Sequence, residues 1–97
     1  MAQPSIALRN HRDRVLEIAR TYRVRNVRVF GSVAHGTDRD GSDVDLLVDV
    51  DDTATLFTLA ELEQALRDLL GVAVDVRTPA EISHYIRDRV LAEAQPL

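Results

Sequence analysis

The stretch "SDVDLLVDV", residues 42 to 50, leaves a folding chain little choice. Val44, Leu46, Val48 and Val50 alternate with Asp43, Asp45, Leu47 and Asp49, and successive side chains of an extended strand point to opposite faces. Such a strand needs another layer over its apolar face and keeps carboxylates on the opposite one. Asp43 and Asp45 stand at i and i+2, so they point the same way and repel unless a cation lies between them.

Two further segments read as strands and supply partners for the first. "NVRVF", 26 to 30, is β-branched and aromatic and is stopped by Gly31. "VAVDVR", 72 to 77, places Val72, Val74 and Val76 on one face and Ala73, Asp75 and Arg77 on the other. The covering layer comes from helices. With Ser5 as N-cap, a helix to Arg23 gathers Leu8, Val15, Ile18, Ala19 and Tyr22 within an arc of about 100°. A second helix, capped by Asp52 or Thr53, runs to Leu70 with Leu56, Leu59, Leu62, Leu66, Leu69 and Leu70 on its buried side and Gly71 at its C-terminal stop. Thr78, Pro79 and Glu81 spell a capping box with proline at the first helical position, opening a last helix that uses Ile82, Tyr85, Ile86 and Val90. The order is helix, strand, turn, strand, helix, strand, helix. It implies an α/β fold in which helices cover one face of a small sheet.

A chain of 97 residues with 45% hydrophobic content has material for one small core. The expected organisation is therefore a single domain over 1–97. With no cysteine, neither disulfides nor thiolate metal sites are available, which fits a reducing compartment. No apolar leader or membrane-length run is present, so a cytoplasmic protein without membrane association is expected. Net charge is -4, but residues 1 to 28 carry seven Arg against Asp13 and Glu17, whereas residues 29 to 97 carry five Arg against fourteen carboxylates. Arg9, Arg12, Arg20 and Arg23 share one arc of the first helix. That arc is either a solvated face or a surface for phosphate or an acidic partner. The acidic balance and the 4% aromatic content argue against direct nucleic-acid binding, whose usual footprint is basic and aromatic-lined.

The residues ahead of the acidic strand narrow the chemistry. Gly31 and Gly36 have the spacing of a phosphate-binding P-loop and Thr37 follows, but the lysine that motif requires is missing and the chain contains none. Setting Gly41 at the sixth position of a calcium-binding EF-hand loop leaves Gly36 first and Leu47 twelfth, where carboxylates are obligatory. Asp38, Asp40 and Ser42 read as turn formers around Gly41. What remains for Asp43 and Asp45 is either a wet acidic face or a pair of hard oxygen ligands for a divalent metal in phosphoryl or nucleotidyl transfer. Asp75 would be the third ligand or the partner of an arginine; spacing alone leaves both open. Gly31 and Ser32 would end the first strand in a turn whose N–H groups and hydroxyl meet phosphate oxygens.

Gly31-Ser32, ten residues, then Asp43-Val44-Asp45 resembles the signature of the polymerase-β-like nucleotidyltransferase superfamily. The short length and the distal Asp75 resemble its minimal nucleotidyltransferase (MNT) branch. The match covers about residues 25 to 93. The resemblance implies a small mixed β-sheet with helices packed on it and a two-metal mechanism. Asp43, Asp45 and Asp75 would be catalytic and would hold Mg²⁺, and Asp75 would help to activate the attacking hydroxyl. Gly31 and Ser32 would bind the triphosphate of ATP. Members of this branch pair with a HEPN-domain ribonuclease toxin and silence it, as antitoxins, by transferring AMP to a tyrosine. One departure is visible: many relatives read Ala-Arg-Gly after the Gly-Ser, where this chain has Ala34-His35-Gly36, and His35 can serve phosphate only when protonated. A non-catalytic antitoxin acting by steric masking, and a transferase subunit acting on RNA or a small molecule, are the alternatives. A chain this short has little left for an acceptor pocket, so another protein is expected to present the acceptor.

Overall fold

The structure, a computed structural model, describes residues 3–97. Four strands, β1 (Arg25–Phe30), β2 (Val44–Asp49), β3 (Val74–Arg77) and β4 (Gln95–Pro96), form one sheet in the order β3-β2-β1-β4. β1 runs antiparallel to β2 and to β4, and β2 runs parallel to β3, so the sheet is mixed as expected. The parallel pair requires a crossover, and α4 (Leu56–Leu70) provides it.

The alternation read from the sequence sets the core. Val27, Val29, Val44, Leu46, Val48, Val74 and Val76 are buried on one face. There they meet Ala7 and Leu8 of α1 (Pro4–Asn10), Val15 and Ala19 of α2 (Arg12–Thr21), and Leu59, Leu62, Leu66 and Leu70 of α4. At roughly 25 cal/mol per Å² of apolar surface, each of these Val and Leu side chains contributes about 1.5 to 3 kcal/mol of burial. Leu47 is also fully buried, but outside this cluster. The acidic face is therefore not uniformly wet.

The first helix departs from expectation by breaking at His11, which leaves helical geometry at φ -120°, ψ 19°. The bend lets α1 reach β2 and α4 while α2 lies along β1. Ser5 is not the cap; Gln3 occupies that position without a side-chain bond and Pro4 follows it. A remote carboxylate takes over the capping role, because Asp38 accepts the Ser5 N–H at 2.8 Å. The cap of α4 is likewise Thr55, whose hydroxyl accepts the Thr58 N–H at 3.2 Å, rather than Thr53 or Asp52. Asp51 engages the Thr53 N–H at 2.9 Å in a local turn and so removes Thr53 from that role. The later start leaves Leu56 exposed, not buried.

The C-terminal segment departs most. The Thr78 box forms, with the Thr78 N–H on Glu81 Oε1 at 2.9 Å, yet it opens only the 3₁₀ turn Pro79–Glu81 before the backbone becomes extended at Ile82. Helix α5 begins later, at Arg87–Glu93, and Tyr85 and Ile86 are exposed. A Ser83 hydroxyl bond to the Tyr85 N–H interrupts the helical ladder. The chain then returns to add β4 along the free side of β1, with the Leu97 N–H on the Val27 carbonyl at 3.0 Å. Pro96 is tolerated because this is an edge strand. Among the described residues no helix is long and apolar enough to cross a membrane.

Candidate active site

The site is built where three strands meet a turn. β1 ends at Phe30, and α3 (Gly31–His35) follows at once. Gly31 is required twice. Its φ of +72° lies in the left-handed region, and a Cβ there would collide with the carboxylate of Asp45. The phosphate-type turn and the acidic strand thus touch at this point. Ser32 follows in the first turn of α3, and its carbonyl accepts the Thr37 N–H at 2.9 Å, which closes the helix.

Strand register gathers the carboxylates. Asp45 lies opposite Phe30 on one side and opposite Asp75 on the other, and residues paired across a sheet present side chains to the same face. Asp43 precedes β2 and is exposed, whereas Asp45 and Asp75 are half-buried. Burial, then the negative charges of Asp75 and Asp43, push the Asp45 carboxyl up to about 6, and Arg77 partly offsets them. The three groups therefore share one electrostatic field.

Of the two readings of Asp75, the arginine pair is the one observed. Its Oδ2 accepts from Arg77 Nε at 3.2 Å and Nη2 at 3.1 Å, and its strand places it beside Asp45. The hydrogen bond and charge of Asp75 in turn raise the Arg77 pKa. Among the described residues no three Asp, Glu or His side chains are gathered into a ready coordination sphere: Asp75 is tied to Arg77 and Asp45 lies against Gly31. The donors nevertheless suit a hard divalent cation such as Mg²⁺, because they are all carboxylates and their mutual repulsion is only partly relieved.

Asp38 corrects the simple turn reading. It is 6% exposed and holds the first turn of α1 through Ser5. Burial alone would raise its pKa, but hydrogen bonds centred on Ser5, with further ones from its own backbone and Gln3, outweigh that and lower it. Asp40 is exposed and Gly41 has φ +88°, as expected of a turn. His35 is exposed at the end of α3, with Nε2 2.9 Å from Glu93 Oε2 of α5.

Sequence reasoning missed the groups that brace β3. Glu63 accepts the Val76 N–H at 2.7 Å and Arg67 Nη2 donates to the Val74 carbonyl at 3.1 Å. These α4 side chains satisfy the outward backbone groups of an edge strand and so steady Asp75 between them. Their four-residue spacing shows that they share a helix face, but nothing in it points to a strand edge.

Comparison with known proteins places the chain among similar molecules. Residues 8–97 match the model of the nucleotidyltransferase domain. The protein adenylyltransferase MntA of Thermococcus cleftensis is 38% identical over 77 residues, covering 79% of this chain and 78% of that protein. A solved structure provisionally named a minimal nucleotidyltransferase superposes with a TM-score of 0.85 at 43% identity, covering 96% of this chain and 95% of the other. The complex of a tri-AMPylated Shewanella oneidensis HEPN toxin with its MNT antitoxin gives a TM-score of 0.69 at 20% identity, covering 91% of this chain and 69% of that one. The last likeness is one of fold.

Proposed function

The chain belongs to the nucleotidyltransferase domain family and resembles the MntA-type antitoxins, and from that premise we propose that it transfers AMP from ATP to a tyrosine of a HEPN-domain toxin and so silences it. The observation that carries this reading is the line of contact from Gly31 to Asp45 and from Asp45 to Asp75. This adjacency supports reading the Gly31 turn as the phosphate side and Asp75 as the acceptor side.

Each residue then has a role. The turn at Gly31 and Ser32 receives the triphosphate, with the absence of a side chain at Gly31 permitting close approach. Asp43 and Asp45 would hold Mg²⁺, which would supply charge to neutralise that developing on the reacting phosphate. Asp75, oriented by the forked contact from Arg77, accepts the proton of the acceptor hydroxyl. The new bond forms between that oxygen and the α-phosphorus, the bond to the β-phosphate oxygen breaks, and pyrophosphate leaves. The open surface around Asp43 and Asp45 fits an acceptor presented by another protein rather than enclosed by this one.

Label transfer from α-labelled ATP to a HEPN-domain protein offered as acceptor tests the proposal. Transfer by the wild type with Mg²⁺, and none by Asp43→Asn, is expected. If the triple change of Asp43, Asp45 and Asp75 to Asn still protects cells, steric masking replaces catalysis as the explanation.

A further inference from the structure

Beside Asp75, on the side away from Asp45, lies a cleft of about 250 Å³ between the start of α4 and β3. Its apolar wall is Leu56, Leu59 and Ala60; its polar wall is Glu63, Asp75 and Glu81, with Arg77 between. Leu56 is 78% exposed and the adjacent Phe57 76%. Solvent-facing neighbours of this size are unusual on a helix whose later leucines are all committed to the core. The reciprocal Thr55–Thr58 cap sets the backbone turn that carries them.

We propose that this cleft, with the Leu56–Phe57 lip, is where the acceptor protein docks, through a segment that inserts a large apolar side chain flanked by basic residues and so brings its hydroxyl to Asp75. The inference rests on the transferase reading and adds to it the surface and the partner chemistry. Two features select this occupant. The cleft shares Asp75 with the catalytic row, so a segment seated in it is already within reach of the proposed proton acceptor. The cleft itself is acidic as well: its lining carries Glu63, Asp75 and Glu81 against one cation, Arg77. That field attracts a cationic segment and repels the triphosphate of the other substrate. The nucleotide is thereby left to the Gly31 side of Asp45 and the acceptor to the Asp75 side.

The test is a binding titration of the HEPN-domain protein that serves as acceptor against wild type, the double variant Leu56→Ser/Phe57→Ser, and Ile6→Ser, an exposed apolar control on α1. The substituted side chains are solvent-facing, and an unchanged melting temperature verifies that each variant folds. The double variant should bind about thirtyfold more weakly, as expected for loss of a central apolar anchor, and Ile6→Ser should bind as wild type. Thermal stabilisation by ATP with Mg²⁺ should be equal in all three. Wild-type affinity should also fall as NaCl is raised. Unchanged acceptor affinity in the double variant, loss of ATP stabilisation instead, or no complex with the wild type would each overturn the docking site. Failure of the transferase reading shows differently, as intact complex formation without AMP transfer.

Discussion

Asp38 and Asp45 are seven residues apart, the first buried and the second half-buried, yet the fold treats them in opposite ways. Asp38 is surrounded by donors: it takes the Ser5 N–H, and its pKa falls despite burial. Asp45 is surrounded by carboxylates, and its pKa rises to about 6. A buried charge that the protein itself satisfies is part of the scaffold. One that the protein makes worse, by adding Asp43 and Asp75, is a candidate functional group.

The largest break between the two should come from removing each charge. Asp45→Asn is expected to lower AMP transfer by at least about a thousandfold, since electrostatic stabilisation of phosphoryl transfer is lost. Asp38→Asn should leave the rate per folded molecule within about twofold, because it acts on α1 and not on phosphate. Transfer kinetics at matched folded concentration check both. Gly31→Ala should nearly match Asp45→Asn in activity and also destabilise by about 1 to 3 kcal/mol, because it forces an L-residue to φ +72° and drives a methyl into Asp45. Chemical denaturation measures that cost.

Stability should separate the pair again, with opposite signs. Asp38→Ala removes a helix-capping acceptor and should cost about 1 to 2 kcal/mol, whereas Asp45→Asn should stabilise the metal-free protein at neutral pH. The pH profile in EDTA sharpens this contrast. Asp45 has a folded pKa of about 6 against 3.8 unfolded, so its favourable contribution is complete below 3.8 and is lost as pH rises through about 6. Solvent screening of this half-exposed group reduces the effect to about 1 kcal/mol. Asp38 has a lowered pKa, so its contribution is present above 3.8 and is lost as pH falls below it. Melting temperatures of wild type and both variants across this range should show Asp45→Asn abolishing the first loss and Asp38→Ala the second. The smallest effect should come from Glu93→Ala, which removes only the exposed His35 pair and should change stability by less than about 0.5 kcal/mol.

The same contrast explains what was legible in the sequence. Alternation in residues 42 to 50 places the acidic row and the core face correctly, because period 2 is enforced by the pleat itself. The turn at Gly31 is equally plain, since a glycine between a strand and a short apolar helix has few other uses. The role of Asp38 is hidden, because its partner Ser5 lies 33 residues away and nothing local distinguishes a satisfied aspartate from a wet one. Asp75 stands between these cases. Its face is legible but its partner is not: the register sets it beside Asp45, while its carboxylate is held by Arg77. The final segment misled because a capping box marks where a helix can start, not how far it runs. Ser83 and the pull of the β4 pairing decide its length.

The most direct measurement is intact-mass spectrometry of a HEPN-domain protein, the proposed acceptor, after incubation with this protein, ATP and Mg²⁺. The expected result is a mass gain of one or more AMP groups with wild type, mapped to tyrosine, and no gain with Asp45→Asn. An unchanged mass with wild type, or the same gain with Asp45→Asn, would contradict the assignment of the acidic row as the catalytic site.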